Sequence, residues 1–367
     1  MPTIRVLIID DSALIRQMLT QIIASAADIE VIGTAADPYI AREKIKRLSP
    51  DVLTLDVEMP RMDGLAFLKN LMRLRPMPVI MISALTEKGA DVTFKALEYG
   101  AVDFVCKPQL DVAATFNTYA SEIIEKIRIA AQAKVKPLNI DKKQLNTPLH
   151  IVPKYSADEI LEISQRPPAV FKTTERVIAI GASTGGTEAI KAILVNMPPD
   201  SPGIVISQHI PAMFSRSFAQ HMDRISPMSV HEAQDGDVIL PGHVYISPGS
   251  HHLLVVRDGA RYVCRLNEGN PVNRHRPSVD VLFRSVAQYV GHNSIGIILT
   301  GMGDDGARGL KEMHEAGATT MAQDEYTSVV WGMPREAIKQ EAVDHIVSLH
   351  NIVNTLIQLC HTPRKKR

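Results

Sequence analysis

The sequence predicts an α/β protein with two doubly wound parallel-sheet domains joined by a linker. Strand-like and helix-like segments alternate over residues 1–130 and again over residues 176–361, which is the order that parallel sheets covered on both faces require. Each stretch opens on a short, continuously apolar run, Val6–Ile9 and Val177–Ile180, as expected of a strand buried on both faces. Between them, residues 131–175 are polar and interrupted by prolines, which excludes one continuous helix or a core strand and predicts a linker.

The composition is ordinary for a globular protein, and its charge balance and cysteine pattern narrow the classes of partner and compartment to expect. At 367 residues the chain is long enough for two separate cores. Lysine plus arginine and aspartate plus glutamate both number 40, so charge gives no reason to expect a nucleic acid partner or membrane insertion. The three cysteines lie far apart and form no C-x-x-C pair, which fits a reducing compartment. The run Ile4–Ile9 is too short for a signal peptide, so we expect a cytoplasmic protein that ends in a solvated basic tail, residues 362–367.

The first domain is predicted to contain five βα units. After the strand Val6–Ile9, apolar residues recur at helical spacing from Leu14 to Ile23. The further predicted strands are Ile29–Ala35, Val52–Leu55, Val79–Ile82 and Asp103–Val105. The further predicted helices are Ala41–Leu48, Leu65–Leu74, Val92–Tyr99 and Ala113–Ala133. This regular alternation predicts a parallel sheet with helices on both faces.

Polar residues of the first domain sit where its predicted strands end. Asp10 and Asp11 follow the first strand, Asp56 the third, Ser83 the fourth and Lys107 the fifth. The carboxyl ends of parallel strands converge on one crevice, so these side chains are expected to lie together. Clustered carboxylates repel one another, and a hard cation such as Mg²⁺ relieves the repulsion. An aspartate beside such a metal can also act as a nucleophile toward phosphorus.

This set of positions resembles that of response-regulator receiver domains over residues 3–128 and implies a flavodoxin-like fold. The resemblance implies that Asp56 is the phospho-acceptor, that Asp11 and Asp56 bind Mg²⁺ directly, and that Asp10 does so through water. Three further residues are implied to complete the site. The carbonyl of Glu58 would bind the metal, Ser83 would form a hydrogen bond with the phosphoryl group, and Lys107 would form an ion pair with it. The alternative is a flavodoxin-like domain that binds a ligand without being phosphorylated.

The second domain places serine, histidine and aspartate at three predicted strand ends. Its first strand runs into a glycine-rich turn that contains Ser183 in a G-x-S-x-G pattern. The next strand runs into His209, and a later one ends in a second glycine-rich turn with Asp304 and Asp305. A serine nucleophile needs a base, and the base needs a carboxylate that holds its tautomer. The same turn could instead cradle a nucleotide phosphate or serve close packing only.

A second resemblance covers this domain. The segments GASTGGTEAI, QHIP, PVNRHRPSVDVLF, LTGMGDDG and WGMPREAI look like those of the catalytic domain of chemotaxis protein-glutamate methylesterases. The resemblance implies a Rossmann-like methylesterase domain over residues 176–361 and a triad of Ser183, His209 and Asp305. The family pattern favours the acid directly before a glycine, so Asp304 is expected to be an exposed turn residue.

The resemblance also implies the supporting residues and the reaction. Met302 is expected to donate its backbone N–H to an oxyanion, with support from Thr184. Asn273 is interpreted as a residue that orients the scissile group. The implied reaction is hydrolysis of γ-glutamyl methyl esters on chemoreceptors, with deamidation of receptor glutamines, and needs no cofactor. Mg²⁺ is needed only for the phosphorylation of Asp56 by a histidine kinase. This phosphorylation is expected to move the receiver off the catalytic face.

Two other classes of function share features with this sequence. A receiver can precede a DNA-binding domain, but residues 177–361 show a βα rhythm and no basic face. A dinucleotide-binding module would need an acid about twenty residues after its glycine turn, where this chain has Gln208 and His209. Within the linker, Ser156–Ile163 is predicted to form a short helix with a capping box.

Overall fold

The computed structural model describes residues 3–57, 59, 63–83, 87–107, 113–138 and 176–361. Its first domain contains a five-stranded sheet in the order β2-β1-β3-β4-β5, and all four pairings are parallel. The strands are β1 Ile4–Ile9, β2 Ile29–Ala35, β3 Val52–Asp56, β4 Val79–Ser83 and β5 Asp103–Cys106. The helices are α1 Ala13–Ala24, α2 Pro38–Leu48, α3 Gly64–Leu74, α4 Glu87–Glu98 and α5 Ala113–Gln132. The doubly wound parallel sheet predicted for this domain is confirmed.

Helices α2 and α3 begin earlier than predicted because their caps lie outside the apolar pattern. Helix α2 starts at Pro38, and the Asp37 side chain accepts hydrogen bonds from two backbone N–H groups of its first turn. Helix α3 starts at Gly64, with Asp63 accepting from the N–H of Leu65. Capping carboxylates and an N-terminal proline extend a helix beyond its first buried residue, which a prediction from apolar spacing misses.

The second domain contains a seven-stranded parallel sheet in the order β14-β13-β12-β6-β7-β9-β8. The strands of the domain are β6 Val177–Ala182, β7 Gly203–Gln208, β8 Ser229–Glu232, β9 His243–Ile246, β10 His252–Asp258, β11 Arg261–Asn267, β12 Ser294–Ile298, β13 Thr319–Gln323 and β14 His345–Val347. The helices are α6 Gly186–Leu194, α7 Ala212–Ile225, α8 Val279–Tyr289, α9 Ala307–Glu315, α10 Met333–Lys339 and α11 Ile352–His361. Because β6 has β7 on one side and β12 on the other, the ends of these three strands meet at one crevice.

An antiparallel hairpin adds to this parallel sheet and was not predicted. Strands β10 and β11 pair over their full length, from His252 opposite Asn267 to Asp258 opposite Arg261. Alternate residues of the hairpin, including Leu253 and Val255, are buried against α8. The hairpin therefore fixes one side of α8, the helix whose first turn reaches the crevice.

The two domains pack through aromatic side chains. Phe94 of α4 lies 5.6 Å from Phe218 and 6.3 Å from Phe214, both on α7, measured between ring centroids. Phe104 of β5 approaches Phe214 to 4.6 Å. Edge-to-face and tilted ring pairs of this kind stabilise a packed interface by more than the burial of their apolar surface alone. The β5 edge of the first sheet is thereby held against the crevice of the second domain.

The predicted linker, residues 131–175, is described only at its start. Residues 131 and 132 end α5, and the following residues reach Leu138, whose N–H donates to the carbonyl of Met72. The predicted helix Ser156–Ile163 and the tail 362–367 lie outside the described residues. No helix in the described part of the chain is long and apolar enough to cross a membrane.

Candidate active site

Ser183 lies on a tight turn between β6 and α6. Its N–H donates to the carbonyl of Thr300 at 3.0 Å, and its carbonyl accepts from the side-chain amide of Gln208 at 3.0 Å. Gly185, two residues on, has φ of 76°, and a Cβ there would lie 2.7 Å from Cβ of Val329. Only glycine fits that position without strain. The turn is thus held on both sides, and the serine hydroxyl points into the crevice between strands.

The three side chains predicted to form a triad lie in a line, with His209 within hydrogen-bonding distance of both Ser183 and Asp305. His209 Nδ1 is 3.1 Å from Ser183 Oγ, and His209 Nε2 is 2.8 Å from Asp305 Oδ2. With its proton on Nε2, the ring donates to the carboxylate and its Nδ1 accepts the serine hydroxyl proton. The side chains of His209 and Asp305 are 9% and 2% exposed. Asp304, the neighbouring acid, is exposed.

Asp305 is surrounded by donors. Besides His209, its carboxylate accepts bonds from the hydroxyl of Ser278 (2.7 Å), the amide of Asn273 (2.7 Å), and the backbone N–H groups of Val279 (2.7 Å) and Asp280 (3.3 Å). Burial by itself raises the pKa of Asp305, but the hydrogen bond and charge of His209, with the bonds from Asn273 and Ser278, lower that pKa far below its usual range. The carboxylate therefore stays ionised and fixes the tautomer of His209.

The start of α8 provides much of this support and was missed in the sequence. Ser278 occupies the N-cap position but makes no cap hydrogen bond, because its hydroxyl and the first N–H groups of the helix all point to Asp305. The positive end of the helix dipole faces the carboxylate, which stabilises its negative charge. A Pro-Ser pair directly before a helix with an acid in its first turn was the available signal.

Asn273 has a different place from the one predicted. Its Nδ2 donates to Asp305 Oδ1 and to Asp280 Oδ2, both at 2.7 Å. Both amide hydrogens are therefore used within the protein, and the interpretation that this amide orients a scissile group was wrong. Asn273 instead orients the acid of the Ser–His–Asp cluster.

The two residues predicted to support an oxyanion flank Ser183. Thr184 is its neighbour in the chain, and Met302 follows Gly301, where an added Cβ would lie 2.7 Å from Ser183 Cβ. Among the described residues, neither Thr184 N–H nor Met302 N–H donates a backbone hydrogen bond within the protein. The Thr184 hydroxyl donates to Asp103 Oδ2 of the first domain at 2.9 Å.

The first domain closes the crevice. A cavity of about 20 Å³ lies at Ser183 and His209, which is room for about one water molecule. The side of the first domain in this cavity is formed by residues of α4 and β5 and the segment between them, Leu97, Val102, Asp103 and Phe104. Residues of the first domain therefore form one wall of the small cavity beside Ser183.

The predicted acidic cluster of the first domain is also present. Carboxylate oxygens of Asp10, Asp11 and Asp56 all lie within 4.8 Å of one another, with Asp10 and Asp56 buried and Asp11 exposed. Lys107 Nζ lies 2.7 Å from Asp56 Oδ2 and 3.3 Å from Asp10 Oδ2. Ser83 is buried at the end of the neighbouring strand. Glu58, the fourth predicted metal ligand, lies outside the described residues.

These acids fit a hard divalent cation. Asp10 Oδ2 is buried and accepts no hydrogen bond from the described residues, although the Lys107 ammonium lies near it. Burial raises the pKa of Asp10, and the charge of Lys107 offsets this only in part. A buried carboxylate oxygen with unused acceptor capacity beside two other carboxylates is what oxygen-preferring Mg²⁺ requires.

The fold and the two sites define a class of protein: a receiver domain joined to an α/β domain that carries a Ser–His–Asp cluster. The family model described as CheB methylesterase matches residues 178–356, and the one described as response regulator receiver domain matches residues 6–114. The chain belongs to the protein-glutamate methylesterase/protein-glutamine glutaminase family.

Full-length relatives carry that name. "Protein-glutamate methylesterase/protein-glutamine glutaminase 1" of Xanthomonas euvesicatoria pv. vesicatoria (strain 85-10) is 57% identical over 361 residues, 97% of either chain. The protein of the same name from Geobacter metallireducens (strain ATCC 53774 / DSM 7210 / GS-15) is 58% identical and covers 94% of this chain and 93% of its own. Among solved structures, the Thermotoga maritima CheB methylesterase catalytic domain is 36% identical with a TM-score of 0.49, covering 50% of this chain and 98% of that chain.

Proposed function

We propose that this protein is a phosphorylation-regulated hydrolase that removes methyl groups from γ-glutamyl methyl esters on chemoreceptors and deamidates receptor glutamines in chemotaxis adaptation. The observation that carries the proposal is the hydrogen-bonded line of Ser183, His209 and Asp305 at the carboxyl edge of a parallel sheet. The names of its relatives support methylated glutamate and glutamine side chains of proteins as the substrate class.

The acylation step follows from the orientation of the imidazole. His209 Nδ1 takes the proton of Ser183 Oγ, and the oxygen attacks the ester carbonyl carbon. The resulting oxyanion accepts bonds from the backbone N–H groups of Thr184 and Met302. Asp305 stabilises the imidazolium through Nε2–H. His209 then donates its Nδ1 proton to the methoxy oxygen, the C–O bond breaks and methanol leaves.

Deacylation uses the same groups in reverse. Water replaces methanol, His209 removes its proton, and the hydroxide attacks the acyl carbon. When the second tetrahedral intermediate collapses, the proton returns to Ser183 Oγ and a free glutamate carboxylate is released. With a glutamine substrate the leaving group is ammonia and the product is the same carboxylate.

The receiver is proposed to be phosphorylated on Asp56 by a histidine kinase. Asp10, Asp11 and Asp56 would hold Mg²⁺, with the carbonyl of Glu58 as a further ligand, and the bound cation neutralises charge during phosphoryl transfer. Lys107 would pair with the phosphoryl group on Asp56, since its ammonium already lies against that carboxylate.

Regulation is proposed to act through access to Ser183. The cavity of about 20 Å³ at the serine is walled by the first domain, so an unphosphorylated receiver would obstruct the substrate. Phosphorylation would weaken the packing of β5 and α4 on the catalytic domain and open the crevice. Neither nucleic acid nor membrane insertion has a role in this proposal, and a cytoplasmic location remains a prediction.

The test is methanol release from methylated receptor membranes by the full chain, with and without Mg²⁺ and a small-molecule acyl phosphate. We expect release that depends on Ser183, is lost in Ser183→Ala, and rises with the phosphodonor. Asp56→Asn is the matched variant, since it keeps the volume of the side chain and should retain basal release without stimulation. No release by the wild type would exclude the proposed substrate, and equal stimulation of Asp56→Asn would exclude the proposed regulation.

A further inference from the structure

The ring of His275 lies flat against the ring of His209. The two centroids are 3.8 Å apart and the planes differ by 14°, which is direct contact over the whole face. Both nitrogens of His209 are engaged in the ring plane, by Ser183 and Asp305. His275 therefore covers one of the two faces of the proposed base that its in-plane hydrogen bonds leave open to packing.

His275 belongs to a tight loop that is also fastened to the acid. Val272 and His275 exchange two backbone hydrogen bonds, of 3.0 Å and 2.9 Å. The two residues between them, Asn273 and Arg274, have φ of 52° and 69°. Successive non-glycine residues in this region are disfavoured and persist only where surrounding contacts hold them. Here the contacts are the bonds of Asn273 to Asp305 and the stacking of His275 on His209.

Burial, more than the neighbouring charges, keeps the ring of His275 neutral. The pKa of His275 is lowered to about 4, mainly by burial and then by the charge of His209, while Asp305 opposes the shift. Two cations also contribute to the lowering, Arg274 of the same loop and Lys126 of α5. At neutral pH, the uncharged imidazole ring of His275 thus packs against the ring of His209, which must become positively charged during the reaction.

We propose that His275 is a positioning residue, whose neutral planar ring stops His209 from rotating about its Cβ–Cγ bond and so keeps Nδ1 on Ser183 and Nε2 on Asp305. This torsion of histidine is broad when packing does not restrict it. The base must pass its proton to the leaving group while the imidazolium stays bonded to the acid, and small misplacements of a reacting group can lower the rate about 100-fold. The inference rests on the proposed function.

The test compares three substitutions in the full chain with Mg²⁺ and phosphodonor. His275→Phe keeps a flat ring that cannot be charged, His275→Leu offers a side chain of comparable bulk that is not flat, and His275→Ala removes the contact. We expect kcat within about 5-fold of wild type for His275→Phe, and losses of roughly 30-fold to 100-fold for the other two with KM changed by less than about 3-fold. Thermal melting identifies any variant that fails to fold.

A matched control lies outside the site. His231 and His243 also stack, with centroids 5.4 Å apart, on β8 and β9. His231→Ala removes a stacked histidine there and should leave kcat within about 2-fold of wild type. A loss in this control as large as in His275→Ala would mean that the assay reports stability rather than positioning.

A second readout separates this inference from the proposed substrate. The rate at which a serine-directed phosphonate labels Ser183 needs the aligned base but no receptor, and it should fall in His275→Leu and His275→Ala. If wild type is labelled but releases no methanol, the proposed function fails while the labelling rates still decide the role of His275.

Equal labelling rates for His275→Leu and His275→Phe would overturn the role of the planar contact. An acid limb of the pH–rate profile that moves by more than about half a unit in His275→Phe would show that His275 titrates in the working range, against a neutral ring.

Discussion

Thr184 Oγ1 donates a hydrogen bond of 2.9 Å to Asp103 Oδ2, which ties the residue after the proposed nucleophile to the last strand of the receiver. The other oxygen of Asp103 lies 3.0 Å from Lys126 Nζ on α5. One carboxylate therefore joins the catalytic turn, the last strand and the last helix of the receiver. Separation of β5 from the second domain must therefore break this bond.

Replacing Asp103 is predicted to raise the basal activity of the unphosphorylated protein. Asp103→Ala removes the acceptor of Thr184, and a partly buried hydrogen bond of this kind contributes about 0.5–1.5 kcal/mol, or roughly 2-fold to 10-fold in the closed-to-open ratio. Methanol release without phosphodonor measures the change. The control is Asp28→Ala, which breaks an exposed ion pair with Arg128 elsewhere in the receiver. A basal rate that is the same in both variants would mean that the Thr184 contact does not restrain the domains.

Glu98 gives the domain contact a pH dependence. Its carboxylate on α4 lies 2.5 Å from Lys191 Nζ and 3.4 Å from His221 Nε2, both in the second domain. The contact with His221, followed by that with Lys191, outweighs burial and lowers the pKa of Glu98 from 4.5 to about 2. Because the pKa is lower in the packed state, ionised Glu98 stabilises the contact above about pH 4.5, and this stabilisation is lost as the pH falls towards 2.

The corresponding experiment compares wild type with Glu98→Gln between pH 7 and pH 3.5. We expect the wild type to have the higher melting temperature at pH 7, by a few degrees for a contribution of about 1–2 kcal/mol, and the difference to shrink on acidification. The exposed pair of Lys339 and Glu336 offers the control, since Glu336→Gln should change the melting temperature little at any pH. A wild-type advantage that grows towards pH 3.5 would contradict the assigned sign.

The sequence was sufficient for the parallel-sheet architecture and for most residues of the two sites, because those residues sit directly at strand ends. Asp10, Ser183 and His209 each follow an apolar strand, so one topological rule brings them to a crevice. Ser278 and His275 follow no such rule. They reach the site through a loop whose shape depends on contacts with Asp305, some thirty residues further along the chain.

The domain interface was equally hidden in the sequence. Phe94 and Phe214 occupy helical positions that an apolar pattern assigns to the core of their own domain. Only the assembled structure shows that they meet across the two domains. An apolar pattern predicts that a side chain is buried but does not identify the residue against which it packs.

Gly185→Ala is predicted to destabilise the protein more than Gly303→Ala. Both glycines have positive φ, 76° and 86°, so either substitution carries the strain of a left-handed alanine, about 1–2 kcal/mol. At Gly185 the new Cβ would also lie 2.7 Å from Val329, whereas nothing lies within 4 Å at Gly303. The overlap adds about 1–3 kcal/mol. Urea unfolding of the two variants isolates the packing effect from the strain, and equal losses would mean that Val329 moves aside freely.

The adjacent acids Asp304 and Asp305 provide the sharpest test of the catalytic assignment. Asp305→Asn keeps the volume of the side chain but places an amide beside Nε2 of His209, which permits the wrong tautomer and removes the charge that stabilises the imidazolium. We expect kcat to fall on the order of 10³–10⁴-fold with little change in KM. Asp304→Asn makes the same chemical change one residue away on an exposed side chain and should alter kcat less than about 2-fold. Because the pKa of Asp305 lies far below its usual range, protonation of this carboxylate contributes nothing to the pH dependence of the wild type between pH 6 and pH 9. Comparable losses in the two variants, or a loss in Asp304→Asn alone, would show that the acid of the cluster has been assigned to the wrong residue.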